Sequence, residues 1–109
     1  MCFEESLKRN PNIVEANYLM GVLNSDMKNY EKSVEFFEKC IEIDEENVDA
    51  INALGVVSYK MNKLEESLSI FNKCLSISPF NSHALSNKAI LLSEMEETIK
   101  VDNFYRRAN

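Results

Sequence analysis

The stretch from Val48 to Asn81 reads VDAINALGVVSYKMNKLEESLSIFNKCLSISPFN, and the residues before it follow the same pattern. When it is laid over Val14 to Asn47, small, bulky and turn residues coincide at a constant offset of 34 positions. The coinciding pairs are Ala16 with Ala50, Gly21 with Gly55, Ser33 with Ser67, Phe37 with Phe71, Cys40 with Cys74, Ile43 with Ile77, and Asn47 with Asn81. Because this period is typical of helix–turn–helix arrays, the sequence predicts a stack of helix pairs.

The same period extends toward the start of the chain. Phe3 and Leu7 lie four residues apart, which indicates one face of a helix, and Asn10-Pro11 interrupts the helical pattern. Phe3 also stands one period before the aromatic residue of the next repeat. We therefore expect residues 1–13 to be the end of a partial repeat.

The last part of the chain departs from the pattern. Ala89 stands at the position of Gly55, and the segment MEETIKVDN, residues 95–103, contains no evident turn. Tyr105 nevertheless falls one period after Phe71. Residues 96–108 therefore form either a separate last helix or an extension of the previous helix. We interpret the chain as a single domain, residues 1–109, with complete repeats at 14–47 and 48–81 and a divergent last repeat at 82–109.

Each complete repeat contains two segments in which apolar residues recur at helical spacing. We expect first helices from Val14 to about Lys28 and from Val48 to about Asn62, and second helices from Tyr30 to Ile43 and from Leu64 to Ile77. The apolar stripe of the earliest of these helices consists of Met20, Leu23 and Met27.

The chain contains two glycines, Gly21 and Gly55, and both lie inside predicted helices. A glycine there costs about 1 kcal/mol relative to alanine, so its recurrence at one repeat position indicates a steric demand. We infer that the second helix of each pair crosses close over the glycine, with Phe37 and Phe71 filling the space beside it.

Asparagines mark the predicted turns. Asn29 and Asn62 are expected to adopt the left-handed conformation that ends each first helix, since asparagine tolerates it better than most residues. Asn47 and Asn81 are expected to cap the helices that follow them.

Composition limits the classes of function. The chain has 109 residues, of which 45% are hydrophobic and 28% charged, with a formal net charge of −6. An acidic chain lacks the surplus of Lys and Arg that binding to nucleic acid or an anionic membrane requires, and it favours neutral or basic partners. No apolar run approaches the roughly 20 residues that span a bilayer, and the start lacks the layout of a secretion signal. We expect a cytoplasmic protein, with a nuclear location also possible.

No pattern predicts catalysis, a metal site or a cofactor. The three cysteines lack the spacing of a metal site or disulfide framework, and Cys40 and Cys74 are expected to be buried thiols. His83, the single histidine, is interpreted as an exposed residue in a first helical turn. Two glycines within helices cannot form a phosphate-binding loop.

The repeated residues resemble the tetratricopeptide repeat family. Its pattern is a bulky residue followed by glycine, an aromatic at the turn, a small residue, an aromatic, a second small residue and then proline. The matching residues are Met20-Gly21, Tyr30, Ser33, Phe37 and Cys40 in one repeat, and Leu54-Gly55, Leu64, Ser67, Phe71, Cys74 and Pro79 in the next. The resemblance implies an all-α fold, an α-solenoid of antiparallel helix pairs in a right-handed superhelix, that acts as a scaffold for protein–protein interaction.

One subset of this family binds the C-terminal carboxylates of chaperones through Lys, Asn and Arg side chains. Tyr18, Val22 and Ala53 occupy positions where that site needs polar or basic groups, and Asn87 alone fits. We therefore do not expect this chain to bind chaperone tails.

In such a stack the first helices line the concave side, where residues four apart share a face. Val22, Val56 and Ile90 form an apolar row at repeat spacing, with Asp26 and other carboxylates nearby. We predict a groove for an apolar peptide or helix with some basic character. The alternative is that this row is covered by packing between neighbouring helices. The predicted groove residues are Tyr18, Val22, Asp26, Asn52, Val56, Tyr59, Lys60, Ser86 and Ile90.

Two functions from different classes remain open. In the first, the chain is a scaffold that holds a segment of another protein in this groove. In the second, it is a structural subunit or fragment that self-associates or stacks through its terminal helices, with Phe3, Leu7, Val101 and Tyr105 at the contacts. The sequence does not identify the partner.

Overall fold

Five α-helices follow one another in the computed structural model, which describes residues 11–108. They are α1 (Pro11–Asp26), α2 (Tyr30–Ile43), α3 (Val48–Lys60), α4 (Leu64–Ile77) and α5 (Ser82–Ala108). Within these residues there is no strand. The predicted helix at residues 1–9 lies outside the described part of the chain.

The helices form a stack in chain order. Helices α1 and α2 pack as one pair and α3 and α4 as the next, while α2 also packs on α3 and α4 on α5. The first helices touch one another in turn, α1 with α3 and α3 with α5. The stack measures 66 × 30 × 19 Å, and its radius of gyration of 16.6 Å exceeds the roughly 13 Å of a compact domain of this size. The predicted all-α solenoid of helix pairs is therefore confirmed.

Two glycines allow the helices of each pair to cross closely, as predicted. A Cβ atom built on Gly21 would lie 2.5 Å from Cε1 of Phe37, and one built on Gly55 would lie 2.6 Å from Cε1 of Phe71. Both phenylalanine rings are almost fully buried. Any larger residue at either glycine would have to displace a ring in the core.

A hydrogen bond fixes each crossing. The Ser33 hydroxyl donates to the Gly21 carbonyl oxygen, and the Ser67 hydroxyl donates to that of Gly55, both at 2.7 Å. Both serines are fully buried. Because each buried hydroxyl has a partner, it can occupy the core without the cost of an unpaired polar group.

The two described cysteines are buried thiols, as predicted. Cys40 Sγ lies 3.4 Å from the carbonyl oxygen of Val14, and Cys74 Sγ lies 3.7 Å from that of Val48. Burial raises the pKa of both thiols, so they stay protonated and unreactive at neutral pH. They serve as small packing residues where the two helices of a pair meet again.

The capping predictions are confirmed, and one turn prediction is wrong. The Asn47 and Asn81 side chains accept hydrogen bonds from backbone N–H groups in the first turns of α3 and α5. Asn62 adopts the predicted left-handed conformation with φ 63°. In the preceding repeat Lys28 takes it, with φ 64°, and Asn29 does not. Repeat geometry decides this, because Lys28 lies one full period before Asn62.

The predicted bounds of α2 and α4 agree with the structure, whereas those of α1 and α3 differ. Helix α1 already includes Pro11 and ends at Asp26 rather than Lys28, and α3 ends at Lys60 rather than Asn62. Proline in a first helical turn loses no hydrogen bond, so Pro11 can begin this helix, while the helix predicted to end before it lies outside the described residues.

The apolar stripe predicted on α1 is largely exposed. Leu23 is 50% exposed, whereas Val57 at the equivalent position of α3 is 1% exposed, and Met20 and Met27 are exposed as well. On α3 the equivalent face, which includes Val57, packs against α2. No described helix precedes α1, so its stripe has no such cover within residues 11–108.

Helix α5 resolves the alternative that the sequence left open, since it continues without a turn from Ser82 to Ala108. Glu96 stands at the position of the left-handed Asn62, and Ala89 replaces the glycine over which an aromatic ring could cross. Lys100 pairs with Glu96 at 3.8 Å and with Glu97 at 3.9 Å, which supports a continuous helix. Residues 96–108 therefore extend α5. No described helix is both long and apolar enough to span a bilayer.

We expect Gly55→Ala to lower the free energy of unfolding by about 1 to 3 kcal/mol, because the added methyl group would overlap Phe71. In an ordinary helix the same change would stabilise by about 1 kcal/mol. Urea denaturation followed by circular dichroism measures the difference.

The matched control is Ala89→Gly, at the repeat-equivalent position, which is exposed. At that position alanine should be the more stable residue, and the change to glycine should lower the free energy of unfolding by about 1 kcal/mol through helix propensity alone. A Gly55→Ala protein as stable as wild type would contradict the close crossing.

Candidate protein-binding groove

The first helices α1, α3 and α5 lie side by side, and a cleft of about 340 Å³ opens between α1 and α3, reaching the start of α5. Six of the nine predicted groove residues line it, namely Tyr18, Val22, Asp26, Asn52, Val56 and Lys60. Tyr59, Ser86 and Ile90 do not line it, but lie on α3 and α5. The remaining lining residues are Ser25, Phe37, Asp49, Ala53, Val57 and His83.

Tyr18 belongs in part to the core. Its ring packs against Phe37, with 5.7 Å between the centroids and 53° between the planes. Burial raises the pKa of Tyr18, and the negative charge of Asp49 adds to the effect. The tyrosine therefore presents only part of its ring to the cleft.

The apolar row is partly covered and partly open. Val22 and Val56 are half-buried, and Ile90 is 53% exposed. The array thus covers some of each valine, while the end of the row at α5 faces solvent.

Charged side chains surround the apolar part of the cleft. Asp49 lies in the first turn of α3 and Lys60 in its last turn, where each charge suits the helix dipole. Asp26 is the last residue of α1, and all three are exposed. Asp26 lies at the same end of the cleft as Lys60, and Asp49 lies at the opposite end, so the two carboxylates offer separate positions for a cationic group.

Two polar contacts join α3 to α5 on this side of the stack. The Asn87 side-chain amide donates to the side-chain oxygen of Asn52 at 3.1 Å, and the Tyr59 hydroxyl donates to the Glu94 carboxylate. The hydrogen bond to Glu94 raises the pKa of Tyr59, with smaller contributions from desolvation and from the charge of Glu94. These contacts hold the two helices at a set separation.

His83 also lines the cleft, a position that its sequence context did not predict. It is exposed in the first turn of α5, as expected, but this turn faces the cleft. The repeat period does indicate this position, because His83 lies 34 residues after Asp49, which also lines the cleft. Among the described residues no three His, Cys, Asp or Glu side chains converge as metal ligands would.

A larger hollow of about 710 Å³ is formed by the end of α2, the loop after it, α3 and α4. Four glutamates, Lys73, Ile41 and Leu54 line it. It follows no repeated apolar row, so the cleft between α1 and α3 is the better candidate for binding a protein segment.

We expect Glu94→Gln to lower the pKa of Tyr59 toward its ordinary value near 10, because the carboxylate that accepts its hydrogen bond is lost. In wild type the folded state favours the neutral phenol, so this contribution to stability is present below about pH 10 and is lost as the pH rises through the raised pKa. Ultraviolet titration measures tyrosinate formation, and Tyr59→Phe identifies the signal. An unchanged Tyr59 titration in the Glu94→Gln protein would contradict the contact.

Comparisons with known proteins agree with this geometry. The tetratricopeptide repeat (TPR) family model matches residues 14–47 and 48–81, more than half of the chain. A similar solved structure is the C-terminal TPR-containing domain of a Plasmodium falciparum protein described as an FK506-binding protein, with a TM-score of 0.70 and 25% sequence identity. The match covers 80% of this chain and 58% of that one. No curated protein matches the chain. The chain belongs to the tetratricopeptide repeat family, whose helical repeats mediate protein–protein interactions.

Proposed function

We propose that the chain is a scaffold that binds an apolar segment of another protein, with some basic character, in the groove across α1, α3 and α5. The observation that carries this proposal is the cleft between α1 and α3, where half-buried valines lie next to exposed carboxylates. The family as a whole binds other proteins, and the groove is where this chain combines apolar surface with charge.

The apolar row supplies affinity. Val22, Val56 and Ile90 recur once per repeat, so a bound segment can contact each first helix in turn. Full burial of one such side chain stabilises by about 1.5 to 3 kcal/mol, and the half-buried valines would contribute less. Ile90, the most exposed of the three, gains most from being covered.

The carboxylates supply selectivity. Asp26 and Asp49 would attract Lys or Arg on the incoming segment and disfavour acidic segments, mainly by speeding association with basic ones. Lys60 and His83 at the same cleft provide positions for an acidic or carbonyl group on the partner. A basic amphipathic helix or extended peptide fits this arrangement better than an acidic one.

Ile90→Asp should weaken binding of such a segment by about 1 to 3 kcal/mol, because it places a charge in the apolar row. The probe is a helical peptide with Leu and Phe on one face and Lys on the other, and calorimetric titration measures its affinity. A peptide of the same sequence with Glu in place of Lys should bind more weakly than the Lys form at low salt.

The matched control is Leu85→Asp on the same helix, since Leu85 is 46% exposed and is not a groove residue. It should leave peptide affinity unchanged. Equal losses for both variants, or no preference for the Lys peptide, would refute binding in this groove.

A further inference from the structure

Beyond the groove, the end of α5 is the most exposed part of the described chain. Residues 96–108, here called the α5 tail, continue the helix past the body of the stack, and every residue from 96 to 107 is exposed. At about 1.5 Å per residue the tail is roughly 20 Å long.

The α5 tail is amphipathic. Val101, Phe104 and Tyr105 are three and four residues apart and therefore share one face. Phe104 is 68% exposed, and its ring contacts that of Tyr105 edge to face, with 5.9 Å between centroids. A helix that exposes two aromatic rings and a valine on one face has the pattern of a segment that binds in a groove.

The last turn of the tail carries the charge that the groove favours, while the tail as a whole is neutral because Glu96, Glu97 and Asp102 balance its three basic residues. Arg106 and Arg107 follow the aromatic residues in the last turn, and Lys100 lies one turn before Phe104. Arg106 contacts Asp102 at 3.2 Å, but both side chains are mostly exposed, so a contact of this kind is weak and can be exchanged. The C-terminal end of the tail thus combines aromatic and basic residues, as the proposed ligand does.

We propose that the α5 tail of a second copy of this chain occupies the groove across α1, α3 and α5, with its aromatic face on the apolar row and its arginines near Asp26 at the end of α1. This inference rests on the proposed function and names the partner. Three first helices at about 8 to 10 Å between neighbours span roughly 20 Å, which equals the length of the tail.

A second copy is required because the tail cannot enter the groove of its own chain. Helix α5 forms one wall of that groove and continues without a turn into the tail. Folding back would require a turn near Glu96, where α5 is instead an unbroken helix with Lys100 paired to Glu96 and Glu97. Two copies that each offer a tail and a groove can form a closed dimer or an open chain.

The first test is sedimentation of the full chain over a concentration series from about 10 μM to about 1 mM. Wild type should self-associate, and Phe104→Asp should raise the dissociation constant by about tenfold or more. Ile99→Asp is the matched control, because Ile99 is exposed on the opposite face of the tail and its replacement should change nothing. A wild type that stays monomeric throughout would overturn the inference.

The second test distinguishes a tail-to-groove contact from a tail-to-tail contact. Val56→Asp on α3 and Asp26→Lys at the end of α1 alter the groove and leave α5 intact, and the lysine suits the C-terminal end of that helix. Neither variant should self-associate as wild type does. Mixing either with Phe104→Asp should restore a one-to-one complex, because one copy supplies the tail and the other the groove. Absence of a complex in both mixtures would overturn the proposal.

A labelled peptide of residues 96–108 gives a direct measurement. It should bind the Phe104→Asp protein, and added salt and Asp26→Lys should each weaken binding. If the Leu, Phe and Lys peptide binds the groove but this peptide does not, the self-association proposal fails while the proposed function stands. If neither peptide binds, both fail.

Discussion

Each helix pair depends on one contact, that of a phenylalanine ring against a glycine in the middle of the partner helix. The ring lies where a Cβ atom would be, so the helices approach closely enough for the Ser33 and Ser67 hydroxyls to reach the glycine carbonyl oxygens. The same approach brings Cys40 and Cys74 against the start of the first helix. Because these contacts recur at 34-residue spacing, successive pairs have the same geometry and stack side by side.

The loss of this contact in the last repeat explains why α5 continues without a turn. In the last repeat Ala89 replaces the glycine, and Val101 replaces the serine that would donate to its carbonyl oxygen. Helix α5 therefore has no reason to reverse at Glu96, and its ion pairs favour continuation. These two replacements thus leave the apolar side chains of residues 96–107 exposed to solvent. The first part of α5 remains the third helix along the groove.

Much of the candidate site could be read from the period, because residues one repeat apart occupy equivalent positions. Six of the nine predicted residues line the cleft for that reason. Tyr18 was predicted as a groove residue, and its packing on Phe37 was not foreseen, because a pattern along one helix does not show contacts with another. His83 lies one period after Asp49 and therefore occupies the equivalent position at the cleft, although its residue type alone predicts no role there.

The all-α fold, the 34-residue period, the two close crossings and the capping asparagines could be predicted from the sequence, since each depends on local spacing or on one residue's conformational limits. The left-handed turn at Lys28, the exposed stripe on α1 and the unbroken course of α5 could be seen only in the folded chain. These outcomes depend on which surfaces meet. A left-handed residue is selected by the geometry of the whole pair, an apolar stripe is buried only where another helix covers it, and a helix ends only where a turn is more stable than another residue of helix.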